Sequence, residues 1–379
     1  MIEIINKKKC SGCYACVSTC PKNCISMQRD EEGFLYPSVN EKNCIKCGLC
    51  IKACPILIPS KSDKTEADVK AYAVCSEEKE IRRKSSSGGI FSLIAENVIN
   101  KGGVVFGASF NGDLSVSHKS TETIDEIAQF RGSKYVQSTI GDTYKNAKEY
   151  LDDGRLVLFT GTPCQIGGLY SYLNKTYDNL ITQDIICHGV PSPLVWQKYL
   201  QSLECRNGDK VTNIYFRDKR SGWTTYSFTA EFESRSIYST RNCEYMKAFL
   251  SNLCLRPSCY DCSFKSKVRQ SDITLADFWG IDNIMPEMND EKGTSLVFVN
   301  SPKGQRLFDE IKAFTMHKEA DINQAIEYNS AAIKSVAENK NRASFMKAVS
   351  KYGFGKKTER FLTPSFMVRL KRKIRSLLK

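Results

Sequence analysis

The stretch Cys10-Ser11-Gly12-Cys13-Tyr14-Ala15-Cys16-Val17-Ser18-Thr19-Cys20-Pro21 has a second copy, Cys44-Ile45-Lys46-Cys47-Gly48-Leu49-Cys50-Ile51-Lys52-Ala53-Cys54-Pro55. Both read C-x2-C-x2-C-x3-C-P. Three closely spaced thiols on a tight loop suit one face of a 4Fe–4S cube, with backbone N–H groups near its sulfides. The fourth thiol, carried off on a short helix, reaches the other cube. On this reading Cys10, Cys13, Cys16 and Cys54 hold one cluster, and Cys44, Cys47, Cys50 and Cys20 hold the other. Each proline ends its ligand loop. Zinc is the competing chemistry, but its sites pair two short C-x2-C knuckles at a distance, unlike two tandem runs of four. Cys24 lies outside the pattern and reads as a small buried side chain.

Over residues 1–60 the chain resembles bacterial two-cluster ferredoxins. It departs from them in charge, with eight basic and five acidic side chains, a net of +3. That suits an internal wire, or one that docks an acidic carrier. The whole chain of 379 residues is 41% hydrophobic and 26% charged, which excludes disorder, collagen and coiled coil. No window approaches the ~18 apolar residues of a spanning helix. The N-terminus lacks the apolar core of a secretory signal, so a reducing cytosol is expected. There, 17 cysteines point to metal or redox chemistry rather than to disulfides.

Beyond the repeat, the polar run Ile58–Asp68 reads as a linker, placed at residues 61–69. Residues 70–322 alternate strands and helices and predict an α/β domain with a mixed sheet. Strands are expected at 71–75, 104–110, 155–159, 180–187, 211–217, 226–232, 273–278 and 295–300, with helices at 88–100, 142–153 and 193–204. Residues 323–379 predict a mainly helical segment. The fold class is therefore α+β with α/β: an N-terminal two-cluster ferredoxin fold, then the mixed-sheet domain and a helical C-terminus.

Four constellations carry chemistry. Ser85-Ser86-Ser87-Gly88-Gly89 precedes an apolar helix and reads equally as a phosphate site or as a plain N-cap. Arg131 to Ser138 offers two cations, Arg131 and Lys134, beside Ser133, as an anion site or a solvated loop. Gly161-Thr162-Pro163-Cys164-Gln165 follows a buried strand, at the kind of strand end where α/β sheets bind ligands. Cys259-x2-Cys262 alone reads as zinc, redox or nothing, but Cys164 and Cys187 are candidates to join it in a third four-thiolate site. His188 reads as a hydrogen-bonded histidine at a strand end.

Together, residues 85–89, 131–138, 161–165, 184–192, 258–262 and 271–280 resemble the beta subunits of coenzyme F420-reducing hydrogenase and related dehydrogenases. Ala276 departs from that pattern, where many relatives have glycine. The resemblance implies FAD and an electron path between a hydride carrier and one-electron partners. It assigns a third 4Fe–4S cluster to Cys164, Cys187, Cys259 and Cys262. It assigns the flavin to Ser86, Ser87, Gly88, Gly89, Arg131, Ser133 and Lys134, with Gly161 and Thr162 as further cofactor contacts. Coenzyme F420 is a candidate substrate, and no catalytic side chain is named.

The expected function is an iron–sulfur flavoprotein oxidoreductase. Its rivals are a ferredoxin-dependent reductase of a small organic or sugar-pathway substrate, and a non-catalytic electron-transfer subunit. Residues 356–379 hold nine Lys or Arg against one Glu, a net of +8. Basic charge confined to one end argues against nucleic acid. From Pro364 the tail reads as a basic amphipathic helix, for an anionic membrane surface, an acidic partner or the domain's own core.

Overall fold

The computed structural model describes residues 1–3, 6–59 and 64–363. The N-terminal unit holds two one-turn helices, α1 (Ala15–Ser18) and α2 (Leu49–Lys52), and an antiparallel hairpin of β1 (Ile25–Arg29) and β2 (Leu35–Val39). Residues 61–63 of the expected linker lie outside the described residues. Its last part is held down rather than loose: the Lys64 ammonium donates to the carbonyls of Arg269, Gln270 and Ser271.

The body of the molecule is an eight-stranded mixed sheet. It is built from β3 (Lys70–Ser76), β4 (Val104–Phe110), β5 (Val116–Thr121), β6 (Val157–Thr160), β7 (Leu180–Ile185), β11 (Ile273–Asp277), β12 (Ser295–Val299) and β13 (Thr315–Ala320). Its spatial order is β13-β3-β12-β11-β7-β6-β4-β5. Strands β4, β6, β7 and β11 run parallel, and β3 runs with them because two antiparallel pairings separate it from β11. The carboxyl ends of five strands therefore share one edge. β6 and β12 are buried along their whole length, and Val-Leu-Phe-Thr and Ser-Leu-Val-Phe-Val show the unbroken apolar character that two-sided burial demands.

Helices cover both faces: α3 (Lys79–Lys84), α4 (Ile90–Asn100), α5 (Thr143–Asp152), α6 (Pro163–Leu173), α9 (Ile281–Ile284), α10 (Pro302–Ile311) and α11 (Ile322–Glu327). α4 buries Ile90, Ile94 and Val98 against the sheet. α6 starts at Thr162, with Pro163 in its first turn and the Gln165 carboxamide accepting from the Thr162 N–H at 2.9 Å.

A second core lies beside the sheet. The small sheet β10-β9-β8, from β8 (Val211–Asp218), β9 (Ser227–Phe232) and β10 (Ile237–Thr240), packs with α7 (Pro193–Asn207) and α8 (Glu244–Leu250). Trp196, Tyr199, Phe216, Phe228 and Tyr245 fill its centre. α12 (Arg342–Tyr352) and α13 (Lys356–Leu362) add Phe345, Val349 and Leu362 to this core. The C-terminal helices are thus part of the folded body up to Leu362. The basic segment expected over 364–379 lies outside the described residues. Among the described residues no helix is long and apolar enough to cross a membrane.

Candidate functional site

The two cysteine loops are conformational copies. Gly12 and Lys46, each just before the second cysteine of its run, have φ of +69° and +53°, and Tyr14 and Gly48, just after it, have +70° and +77°. This alternation of left-handed residues turns successive N–H groups toward the concave side, which makes an anion-binding nest. Cys10, Cys13, Cys16 and Cys54 line one pocket of about 370 Å³. Cys20, Cys44, Cys47 and Cys50 line another of about 360 Å³. In each, the fourth thiol comes from the opposite run. Cys24 also lines the second pocket, its sulfur 3.4 Å from that of Cys20.

Cys164, Cys187, Cys259 and Cys262 come together at the shared edge of the large sheet, in a third pocket of about 620 Å³. Cys164 opens α6 after β6, Cys187 follows β7, and Cys259 and Cys262 stand on the loop before β11. Lys9, Ser11 and Ile56 line both this pocket and that of Cys10, so one layer of side chains separates the two. Ile2 links the other pair, lining the Cys10 pocket while its N–H donates to Cys50 Sγ at 3.2 Å.

The donor set suits a polynuclear cluster. In each of the three sets, four thiols line one open volume. Burial pushes the Cys13 thiol up to about 11 and that of Cys259 up to about 12. It also pushes up those of Cys16 and Cys164, which neighbouring cysteines raise further. Such a group of sulfurs becomes thiolate when a cationic centre supplies the missing charge. Around the third pocket the Val190 N–H donates to Cys259 Sγ at 3.4 Å, and Thr162 Oγ1 lies 3.1 Å from Cys164 Sγ. His188 accompanies Cys187 but is tied to the Asn252 side chain at 2.7 Å, the structural role read from its sequence position.

The structure brings the serine–glycine turn and the Arg131–Ser138 loop together. Ser86 Oγ accepts from the Ser133 N–H at 2.8 Å and the Ser133 hydroxyl at 2.9 Å. Arg131 Nε donates to Ser92 Oγ, one turn into α4. Burial lowers Lys134 to about 7, and its ammonium donates to the carbonyls of Arg131 and Gly132. Lys219, which no sequence motif marked, donates to the carbonyls of Arg82, Ser87 and Lys292, and is likewise lowered to about 7, chiefly by burial. Nearby, Arg217 pairs with Asp277 at 2.8 Å, and the rings of Trp223 and Trp279 stack 5.4 Å apart.

Arg131, Lys134 and Lys219 thus gather around the serine–glycine turn, and several of the expected cofactor contacts are engaged within the protein. The Gly88 N–H donates to Ser295 Oγ at 3.0 Å, and a Cβ at Gly88 would stand 2.4 Å from the Val74 carbonyl oxygen. Gly88 thus lacks a side chain because the turn packs on β3 and β12, and its N–H is already engaged. Ser87 Oγ is spent on the Thr294 carbonyl at 2.9 Å. Thr162 caps α6 beside Cys164, and the Gly161 N–H donates to the Gln183 carbonyl at 3.0 Å. Both therefore stand at the junction of β6 and α6, just before Cys164. Lys219 carries no sequence signature, since its contacts are with remote backbone.

These features define an iron–sulfur protein of the electron-transferring oxidoreductase class. Residues 9–58 match the 4Fe-4S dicluster domain family. Residues 154–325 match the family described as the C terminus of the coenzyme F420 hydrogenase/dehydrogenase beta subunit. A chain of the F420-reducing [NiFe] hydrogenase complex from Methanosarcina barkeri, solved as a xenon derivative, is similar at 17% identity and a TM-score of 0.47. The similarity covers 69% of this chain and 89% of that one. No curated protein matches.

Proposed function

We propose that the chain passes single electrons along three 4Fe–4S clusters, between a partner protein and a flavin that exchanges hydride with a small carrier. The observation that carries this reading is the row of three four-cysteine pockets, two of which share Lys9, Ser11 and Ile56 as a common wall. Cys20, Cys44, Cys47 and Cys50 form the outer position, since Cys47 is exposed. Cys10, Cys13, Cys16 and Cys54 form the middle one, and Cys164, Cys187, Cys259 and Cys262 the inner one. Exposed Ile45 and Leu49 line the outer pocket, and the net +3 of residues 1–60 suits an acidic one-electron carrier there.

FAD is the reading for the basic cradle, with Ser86, Gly89, Arg131, Ser133, Lys134 and Lys219 as its surroundings. A bound flavin would supply the change between hydride and single electrons. The residues bind and orient: Ser86 and Ser133 lock turn to loop, and the cations balance the phosphate charge. The matched family points to coenzyme F420 as the hydride carrier.

Iron analysis tests the row directly. The anaerobically reconstituted chain is expected to hold about twelve iron atoms, three cubes of four. Cys259→Ala should hold about eight, and a parent value near eight would remove the inner cluster. Flavin released on denaturing the reconstituted protein, and bleaching of oxidised F420 in the presence of a one-electron donor, test the other end. No released flavin, or no bleaching with flavin bound, would refute those parts separately.

A further inference from the structure

Arg256 is wholly buried, at 0% exposure, and lies on the seam between the N-terminal unit and the body. Its Nε donates to the Cys10 carbonyl at 2.8 Å, one Nη to the Leu35 carbonyl at 2.9 Å, and the other to Gln137 Oε1 at 3.1 Å. The Nη nearest Cys10 stands 3.6 Å from that residue's sulfur. The guanidinium lies over Tyr36, 4.2 Å from the ring centre, with Phe34 at 5.5 Å. Its main chain meets the third thiol set, because the Cys259 N–H donates to the Arg256 carbonyl at 2.9 Å. One residue thus touches a cysteine of two of the three thiol sets.

The charge balance around it is unusual. Among the described residues no carboxylate forms an ion pair with Arg256, although the guanidinium is sealed from water. A buried cation needs an anion. The group beside it is the Cys10 pocket, where a four-thiolate cluster is negative and gains one further negative charge on reduction. The outer pocket differs: its sulfurs meet the Ile2 N–H and Cys24, and among the described residues no guanidinium or ammonium donates to them.

We propose that Arg256 is a positioning residue that raises the reduction potential of the cluster held by Cys10, Cys13, Cys16 and Cys54. The electron then rests at the middle of the row, next to the inner pocket. The inference rests on the cluster assignment above. In the step concerned the cluster takes one electron from a reductant such as dithionite, no bond forms or breaks, and the fixed cation favours the more negative, reduced state.

The test is an EPR-monitored dithionite titration of the full, anaerobically reconstituted chain, with iron content measured on each sample. Gln137→Glu would set a carboxylate against the guanidinium and neutralise it in place, while Arg256→Gln would remove the charge. In both, the reduced-to-oxidised ratio of the middle cluster at fixed potential should fall at least tenfold, about 59 mV for one electron. The outer signal should stay unmoved and iron should remain near that of the parent. Arg256→Lys, which keeps the charge but not the fork, should fall less. If Arg256→Gln loses iron, Gln137→Glu decides alone. Iron retained with a ratio within threefold of the parent would overturn the proposal. A parent chain with far fewer than about eight iron atoms would refute the cluster reading itself, a result distinct from a missing shift.

Discussion

At the residue scale, the cysteines were legible because cluster ligation is written in local spacing, and both runs sit on loops of matching left-handed geometry. Arg256 was not, because its partners Cys10 and Leu35 lie more than two hundred positions away. Cys24 was read as a small buried side chain, and it is buried, with its sulfur beside that of Cys20. His118 went unnoticed for another reason: it serves the body alone. It is buried between Ser138 Oγ at 2.6 Å and the Thr160 carbonyl at 2.9 Å, and burial lowers its pKa from 6.5 to about 4. As pH falls, the unfolded chain takes up this proton first. Stability should therefore drop between the unfolded value near 6.5 and the folded value near 4, by about 2 kcal/mol on going from pH 7.5 to pH 5. Denaturant midpoints at the two pH values, for the parent and His118→Asn, check this. The variant should lose the histidine's share of the slope, and an unchanged slope would show that another group titrates.

At the element scale, legibility followed burial. Strands covered on both faces announced themselves as apolar runs, whereas β13, Thr-Met-His-Lys-Glu-Ala, is an edge strand with four exposed residues and no readable alternation. β5 and β10 are edge strands too and were likewise missed. The serine–glycine turn shows the opposite difficulty: glycine next to a helix start reads as a phosphate cradle, but at Gly88 the close neighbour is the sheet itself. α6 has a comparable demand. A Cβ at Gly168 would stand 2.9 Å from the Cys13 Cβ and 3.1 Å from its carbonyl oxygen. Gly168→Val is expected to push the Cys13 loop off the helix, costing roughly 1–3 kcal/mol as an overpacked contact and lowering iron retention at the Cys10 set. Thermal unfolding together with iron analysis reads both effects. A variant with the parent's iron and melting temperature would mean that the loop yields without cost.

At the scale of the whole molecule, the N-terminal unit is fastened to the far end of the chain. Arg342, in α12, forms a two-pronged ion pair with Glu32 at 2.9 and 2.5 Å and also donates to the Leu255 carbonyl. Arg342 is 7% and Glu32 19% exposed at the side chain. Glu32→Ala would leave a buried guanidinium short of its anion. A loss of about 2 kcal/mol is expected, below the usual range for a broken buried pair because Glu32 is partly wetted. Glu31→Ala, whose carboxylate meets Lys7 with 79% of its side chain exposed, should change little. Urea unfolding of the two variants compares them, and equal losses would contradict the account. This fastening was invisible in the sequence because ferredoxin-like and α/β stretches each look self-contained when read alone.

The contact of Gly168 with the Cys13 loop has a kinetic meaning. On the cluster reading, the hop between the middle and inner centres takes place inside one rigid body, with no docking step before it. Its rate should then be indifferent to solvent viscosity and to added salt. Exchange at the exposed Cys47 end needs an encounter with a partner protein, so among the electron transfers diffusion and ionic strength would set the pace there.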